Sequence, residues 1–174
     1  MSRLEVYDPV QGDNSEMLPA FVAKLCPRAE LQPRLAGLAR PLVFTNGVFD
    51  ILHRGHVIYL AHARALGASL VVGLNSDASA RTLGKAPDRP LNGEADRACV
   101  LAALESVGLV TLFDEATPLE LLRLVRPDLY VKGGDYDVER LAETALVRGW
   151  GGDAKSLPFI EGYSTSSLVA RIRR

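Results

Sequence analysis

From Pro41 onward the chain alternates short β-rich apolar runs with stretches of helical periodicity, and this restricts it to a parallel sheet with helices on both faces. Five runs qualify as strands: Leu42 to Thr45, Leu70 to Leu74, Leu109 to Phe113, Leu129 to Val131 and Ala154 to Phe159. Parallel neighbours cannot be joined by a tight hairpin, so the helical stretches between the runs are the crossovers. The last run contains Pro158, which has no N–H for a ladder bond, and is expected at an edge. The expected fold is therefore a doubly wound, five-stranded parallel α/β sheet.

The intervening helices are legible from their spacing. Gly55 to Leu66 carries Val57, Leu60, Ala61 and Ala65 at helical intervals, which predicts that these residues face the sheet and that Gly67 is a left-handed cap. Ala98, Leu101, Ala102 and Leu104 do the same for the next long helix. Thr117-Pro118-Leu119-Glu120 reads as a capping box with proline at the first helical position, and Pro127 marks the end of that helix. His62 is expected on the surface and Trp150 as a packing anchor in a turn.

Residues 1–40 differ in character. Asp8-Pro9, Gly12-Asp13-Asn14, Pro19, Cys26-Pro27 and Pro33 permit only short helices there, so an extension is expected, packed on the domain of residues 41–174 or used in a homodimer. A chain of 174 residues, 48% hydrophobic, suffices for one substantial core. With 20 Lys plus Arg against 21 Asp plus Glu, it lacks the positive field that holds a nucleic-acid backbone. No stretch approaches the roughly 18 to 20 apolar residues of a membrane span and no secretory pattern opens the chain, so a cytoplasmic location is expected. Cys26 and Cys99 lack C-x-x-C spacing and read as small core residues.

The chemistry-bearing segment is Thr45-Asn46-Gly47-Val48-Phe49-Asp50-Ile51-Leu52-His53-Arg54-Gly55-His56, which runs off the first strand into the first long helix. Open α/β sheets bind ligands beyond the carboxyl ends of their strands, where helix N-termini aim N–H groups at anions. Gly47 and Gly55 let backbone approach a phosphate closely. Gly84-Lys85 lacks the rest of a P-loop, and no G-x-G-x-x-G follows a strand, so other donors must serve. Two imidazoles can stabilise charge that grows on a phosphate oxygen. The alternatives are histidines satisfied by nearby backbone, or a metal site of Asp50, His53 and His56; the glycine between the histidines favours phosphate.

Gly47-x-Phe49-Asp50 followed by His53-x-Gly55-His56 resembles the signature of the cytidylyltransferase-like nucleotidyltransferase superfamily, whose fold is Rossmann-like. Together with Asn75-Ser76-Asp77, Arg89-Pro90, Lys132-Gly133-Gly134-Asp135-Tyr136 and Ser164-Thr165, the chain is similar to the heptose 1-phosphate adenylyltransferases from about Pro41 to its C-terminus. The resemblance implies transfer of AMP from ATP, with Mg²⁺ on the triphosphate, to heptose 1-phosphate, giving ADP-heptose for lipopolysaccharide core and pyrophosphate. It implies that His53 and His56 stabilise the phosphate and that Lys85 lies on a loop over the triphosphate. Thr45, Asn46, Gly47, Phe49 and Gly55 would line the nucleotide pocket.

The family's strand order, 3-2-1-4-5, would bring Lys132, Gly133, Gly134 and Asp135 beside the first strand, with Asp135 accepting from ribose hydroxyls. Ser164, Thr165 and Ser166 open the C-terminal helix, as phosphate or base ligands or as a plain N-cap. Asp77 is a candidate for the acceptor or a metal, within a segment that also suits a turn. Asp50 serves the acceptor or braces its turn, and Arg89 and Arg97 are candidate phosphate contacts, although Arg97 could instead pair with Glu94 or Glu105.

Related glycerol-phosphate cytidylyltransferases carry an arginine shortly before the Ser-Thr motif, where Leu157-Pro158-Phe159 stands here. That departure disfavours the alternative of CMP transfer to a polyol or amino-alcohol phosphate. The same heptose activity often occurs fused to a sugar kinase, which cannot fit in the short N-terminal segment, so a separate kinase is expected to make the sugar phosphate. A silent nucleotide-binding module is the remaining alternative, and the presence of both histidines, Lys85 and Lys132 argues against it.

Overall fold

The computed structural model describes residues 19–84, 88–134, 137–158, 160 and 162–173. Five strands, β1 (Leu42–Gly47), β2 (Ser69–Asn75), β3 (Leu109–Phe113), β4 (Leu129–Gly133) and β5 (Asp153–Leu157), pair in parallel in the order β3-β2-β1-β4-β5. The order reverses at β1, which lies between β2 and β4. β5 is an edge strand, and Pro158 follows its last residue.

Strand alternation divides the core into two layers. Val43, Leu70, Val72, Leu74, Val110 and Val131 face one side, while Leu42, Phe44, Val71, Leu109, Phe113 and Tyr130 face the other. Helices α2 (Arg54–Arg64) and α4 (Glu94–Ala103) cover the first layer with Leu60, Ala63, Ala98, Leu101 and Ala102. Helices α5 (Leu119–Val125) and α6 (Ala142–Arg148) cover the second with Leu121, Leu122, Val125 and Val147. The short α3 (Asp77–Thr82) follows β2, and α7 (Thr165–Ile172) is the last element.

The segment before β1 holds a 3-10 turn at Ala20–Lys24, another at Arg28–Glu30 and the six-residue helix α1 (Leu31–Ala36). Its proline-limited pieces wrap the β3 edge. Val22 and Leu25 enter one core layer, and Cys26 and Leu31 enter the other. Leu25 bridges to Val110, and Cys26 N–H donates to Val110 O at 2.9 Å, so this segment caps an edge that would otherwise present unpaired groups.

Three local expectations are corrected. The buried face of α2 is Tyr59, Leu60 and Ala63, not Val57, Ala61 and Ala65, because Tyr59 turns inward to bond Thr45. Val57 is 43% exposed. Gly67 is not a left-handed cap; a Cβ there would lie 2.5 Å from Pro41 O, so its role is close backbone approach. The Thr117 capping box does not form: Pro118 is the N-cap, with no side-chain bond, and left-handed Arg126 closes α5. Trp150 is an anchor, donating to Pro127 O at 3.0 Å beneath the Arg126 guanidinium. No helix among the described residues is long and apolar enough to cross a membrane.

Candidate active site

A crevice of about 590 Å³ opens at the carboxyl ends of β1 and β4, where the strand order reverses. β1, β2 and β4 run longer than their apolar cores, so Asn46, Gly47, Asn75, Lys132 and Gly133 are strand ends aimed at this crevice rather than loop residues. Tyr130 OH donates to Asn46 Oδ1 at 2.9 Å, and Lys132 Nζ reaches the same oxygen at 3.5 Å. The Asn46 amide N–H groups are thereby turned toward other partners.

The loop after β1 carries the chain to α2 through Phe49, whose φ of 46° is a left-handed value that costs a non-glycine residue free energy. This bend sets the Phe49 ring edge-on to His56, with centroids 5.4 Å apart. His53 is the N-cap position of α2 and His56 lies in its first turn, so the two side chains share one face. Their rings stack with centroids 3.9 Å apart and 19° between planes. Burial pushes the His53 pKa below its ordinary 6.5, partly offset by its own main chain. Nδ1 of His53 is sealed from solvent and makes no aligned hydrogen bond with the described residues.

Five expected site residues are engaged with partners inside the protein. Asp50, 7% exposed, accepts from Leu91 N–H at 2.8 Å and Asn92 N–H at 2.9 Å. It also forms a close ion pair with Arg89 at 2.6 Å. Arg97 is 2% exposed and donates to Asn92 O, Val48 O and Asn75 O at 3.0, 2.6 and 2.9 Å, and to Asp77 at 2.7 Å. Neither Arg97 nor Asp77 lines the crevice, and Arg97 pairs with Asp77 rather than Glu94 or Glu105. Thr45 is also withdrawn, fully buried and 2.6 Å from Tyr59 OH, whose pKa burial pushes up to about 12. Arg89 and Asp50 do line the crevice while engaged with each other.

Opposite β1, Lys132, Gly133 and the start of α7 complete the wall. Ser164 Oγ accepts from Ser167 N–H at 3.1 Å, which is a true N-cap, and Thr165 Oγ1 reaches Ile51 O at 3.4 Å. Ser164, Thr165 and Ser166 all line the crevice. Gly134 has φ of 116° but does not line it, and its N–H donates to Leu157 O at 2.8 Å. Lys85 and Asp135 lie outside the described residues. In the Asn75-Ser76-Asp77 segment, which suits a turn, Ser76 caps α3, whereas Asn75 also lines the crevice.

Sequence reasoning missed Tyr163, Glu143 and Thr117, all on the crevice wall. A tyrosine one residue before the Ser-Thr motif gave a weak signal, and Thr117 was masked by its resemblance to a cap. Among the described residues no group of three His, Cys, Asp or Glu is placed to hold a metal ion. The alternative metal site of Asp50, His53 and His56 does not assemble, because Asp50 turns to Arg89.

A parallel sheet of this order, with paired histidines and a helix start converging on its switch point, defines a nucleotide-binding α/β enzyme of the nucleotidyltransferase class. The cytidylyltransferase-like family matches residues 44–171, and the chain belongs to that family. It is 58% identical over 156 residues to the D-beta-D-heptose 1-phosphate adenylyltransferase of Bordetella bronchiseptica, covering 88% of this chain and 96% of that protein. It is 44% identical to the bifunctional protein HldE of Koribacter versatilis, covering 97% of this chain but 35% of the relative. Among solved structures, the lipopolysaccharide core biosynthesis protein of Thermoplasma volcanium is 30% identical with a TM-score of 0.59, over 74% of this chain and all of that one. Pantothenate synthetase of Thermus thermophilus, 14% identical with a TM-score of 0.57 over 83% of this chain and 67% of that one, shares the fold.

Proposed function

We propose that this enzyme transfers AMP from ATP to D-glycero-β-D-manno-heptose 1-phosphate, releasing pyrophosphate and forming ADP-heptose for lipopolysaccharide core. A phosphate oxygen of the sugar phosphate attacks the α-phosphorus of ATP, and the bond from that phosphorus to the β-phosphate bridging oxygen breaks. The nucleophile is already an anion, so the reaction needs alignment and charge neutralisation more than a base. The observation that carries nucleotidyl transfer is the stacked His53–His56 pair at the switch point. The acceptor rests on the 58% identical relative.

His53 and His56 stabilise charge on the phosphates as it builds, while Lys132 and the start of α7 hold the nucleotide. By the family resemblance Lys85 serves the triphosphate, and Gly133 and Asp135 the ribose. Mg²⁺, which keeps phosphate and water ligands readily, would be bound with the triphosphate and would neutralise part of its charge. The working enzyme is proposed to be a cytoplasmic homodimer.

The test is pyrophosphate release with Mg²⁺, pairing ATP or CTP with heptose 1-phosphate, glycerol 3-phosphate or no acceptor. Release confined to ATP with heptose 1-phosphate is expected; release with CTP and glycerol 3-phosphate would move the assignment to CMP transfer. In the same assay His56→Ala is expected to lower kcat by about 100-fold with little change in ATP affinity, as for loss of a donor that acts in the transition state.

A further inference from the structure

His53 poses a problem of orientation. A functional imidazole is normally held by a hydrogen bond to its second nitrogen, yet His53 Nδ1 is sealed and without an aligned bond among the described residues. Beside the influence of its own main chain, the ring is held by packing. One ring neighbour is His56, 3.9 Å away, and the other is Tyr163, whose centroid lies 6.2 Å away at 33°.

Tyr163 is itself fixed from two directions. Arg54 donates to its hydroxyl at 3.3 Å and sets its guanidinium 5.7 Å from the ring centre. Ser164, the next residue, caps α7. Between these parts sits Gly55, where a Cβ would lie 3.1 Å from both the His53 ring and Tyr163 Cβ. The space is therefore closed to any larger residue without displacement of one neighbour.

We infer that Tyr163, held by Arg54, is a positioning residue that seats the His53 ring for phosphate stabilisation, and that Gly55 is glycine because this seat leaves no room for a side chain. The inference rests on the proposed nucleotidyl transfer. It links the start of α7 to the histidine pair, so the last helix contributes to catalysis through a ring contact as well as through its own donors. The aromatic ring does the seating and the hydroxyl only tethers it.

The experiment compares Tyr163→Ala and Tyr163→Phe in the full chain by steady-state kinetics and by the ¹³Cε1 resonance of labelled His53, assigned with His53→Gln. Tyr163→Ala is expected to lower kcat about tenfold, in line with the cost of misplacing a reacting group, with KM for ATP within about twofold. It is also expected to shift or broaden the His53 signal. Tyr163→Phe is expected to keep kcat within about twofold and to retain the signal, because the ring remains. An unchanged His53 resonance in Tyr163→Ala would overturn the inference, as would unchanged kcat. A wild-type chain inactive with every acceptor would instead sink the proposed reaction, and the resonance would still decide the seat.

Discussion

His53 is the residue at which electrostatics and chemistry meet. Burial disfavours its imidazolium, so the folded pKa lies below the ordinary 6.5 at which the unfolded side chain titrates. Between those two values the unfolded chain binds more protons, so stability rises with pH through that window. The contribution is fully present above 6.5 and is lost as pH falls toward the folded value. A triphosphate beside the ring favours the charged form and raises that pKa again. ATP binding near pH 6.5 is therefore expected to take up protons, read as a dependence of calorimetric enthalpy on buffer ionisation heat that His53→Gln diminishes. Equal enthalpies in all buffers would place the phosphates away from His53. Arg97 shows the opposite use of a charged group: buried, it commits four of its five N–H donors to three backbone carbonyls and Asp77. Its residue type pointed to phosphate, and only the packing around it shows a brace.

Among the elements, the strands were the most legible and the helix faces the least. Leu109 to Phe113 was legible at its observed bounds, since a run of five residues between Gly108 and Asp114 is too short for a helix. The face of α2 was misread because its alanines offered a second apolar stripe, and the choice between stripes is made by a hydrogen bond from Tyr59 to a different strand. Gly67 shows the same difficulty, for a glycine after a helix can serve conformation or space. If space is its role, Gly67→Ala and Gly67→Asn are both expected to destabilise the protein by about 1–3 kcal/mol in urea denaturation, as overpacked sites do. A left-handed cap would accept Asn at little cost, so near-wild-type stability of Gly67→Asn would return the residue to that role. The position of a Cβ 2.5 Å from Pro41 O argues for space.

At the scale of the whole molecule, residues 19–41 belong to the same folded body as the sheet, because they supply apolar side chains to both core layers. Burying a side chain such as Val22, Leu25 or Leu31 contributes about 1.5–3 kcal/mol, and their sum is comparable with the total stability of a domain, about 5–15 kcal/mol. A chain starting at Arg40 is therefore expected to aggregate or to lose its cooperative thermal transition, with scattering from the uncovered β3 edge. Melting within a few degrees of the full chain would show that the segment is dispensable. The amino-acid sequence by itself determined the strand count, the parallel architecture, the edge position of β5 and the histidine motif, because apolar periodicity and proline act over a few residues. Only the tertiary structure decided that Asp77 and Arg97 pair with each other away from the crevice, that Asp50 meets Arg89 within it, and that Tyr163 and Glu143 reach it. Those outcomes depend on which distant segments meet at the sheet's switch point, and a charged side chain has the same local signature whether it turns toward a ligand or toward the backbone of its own fold.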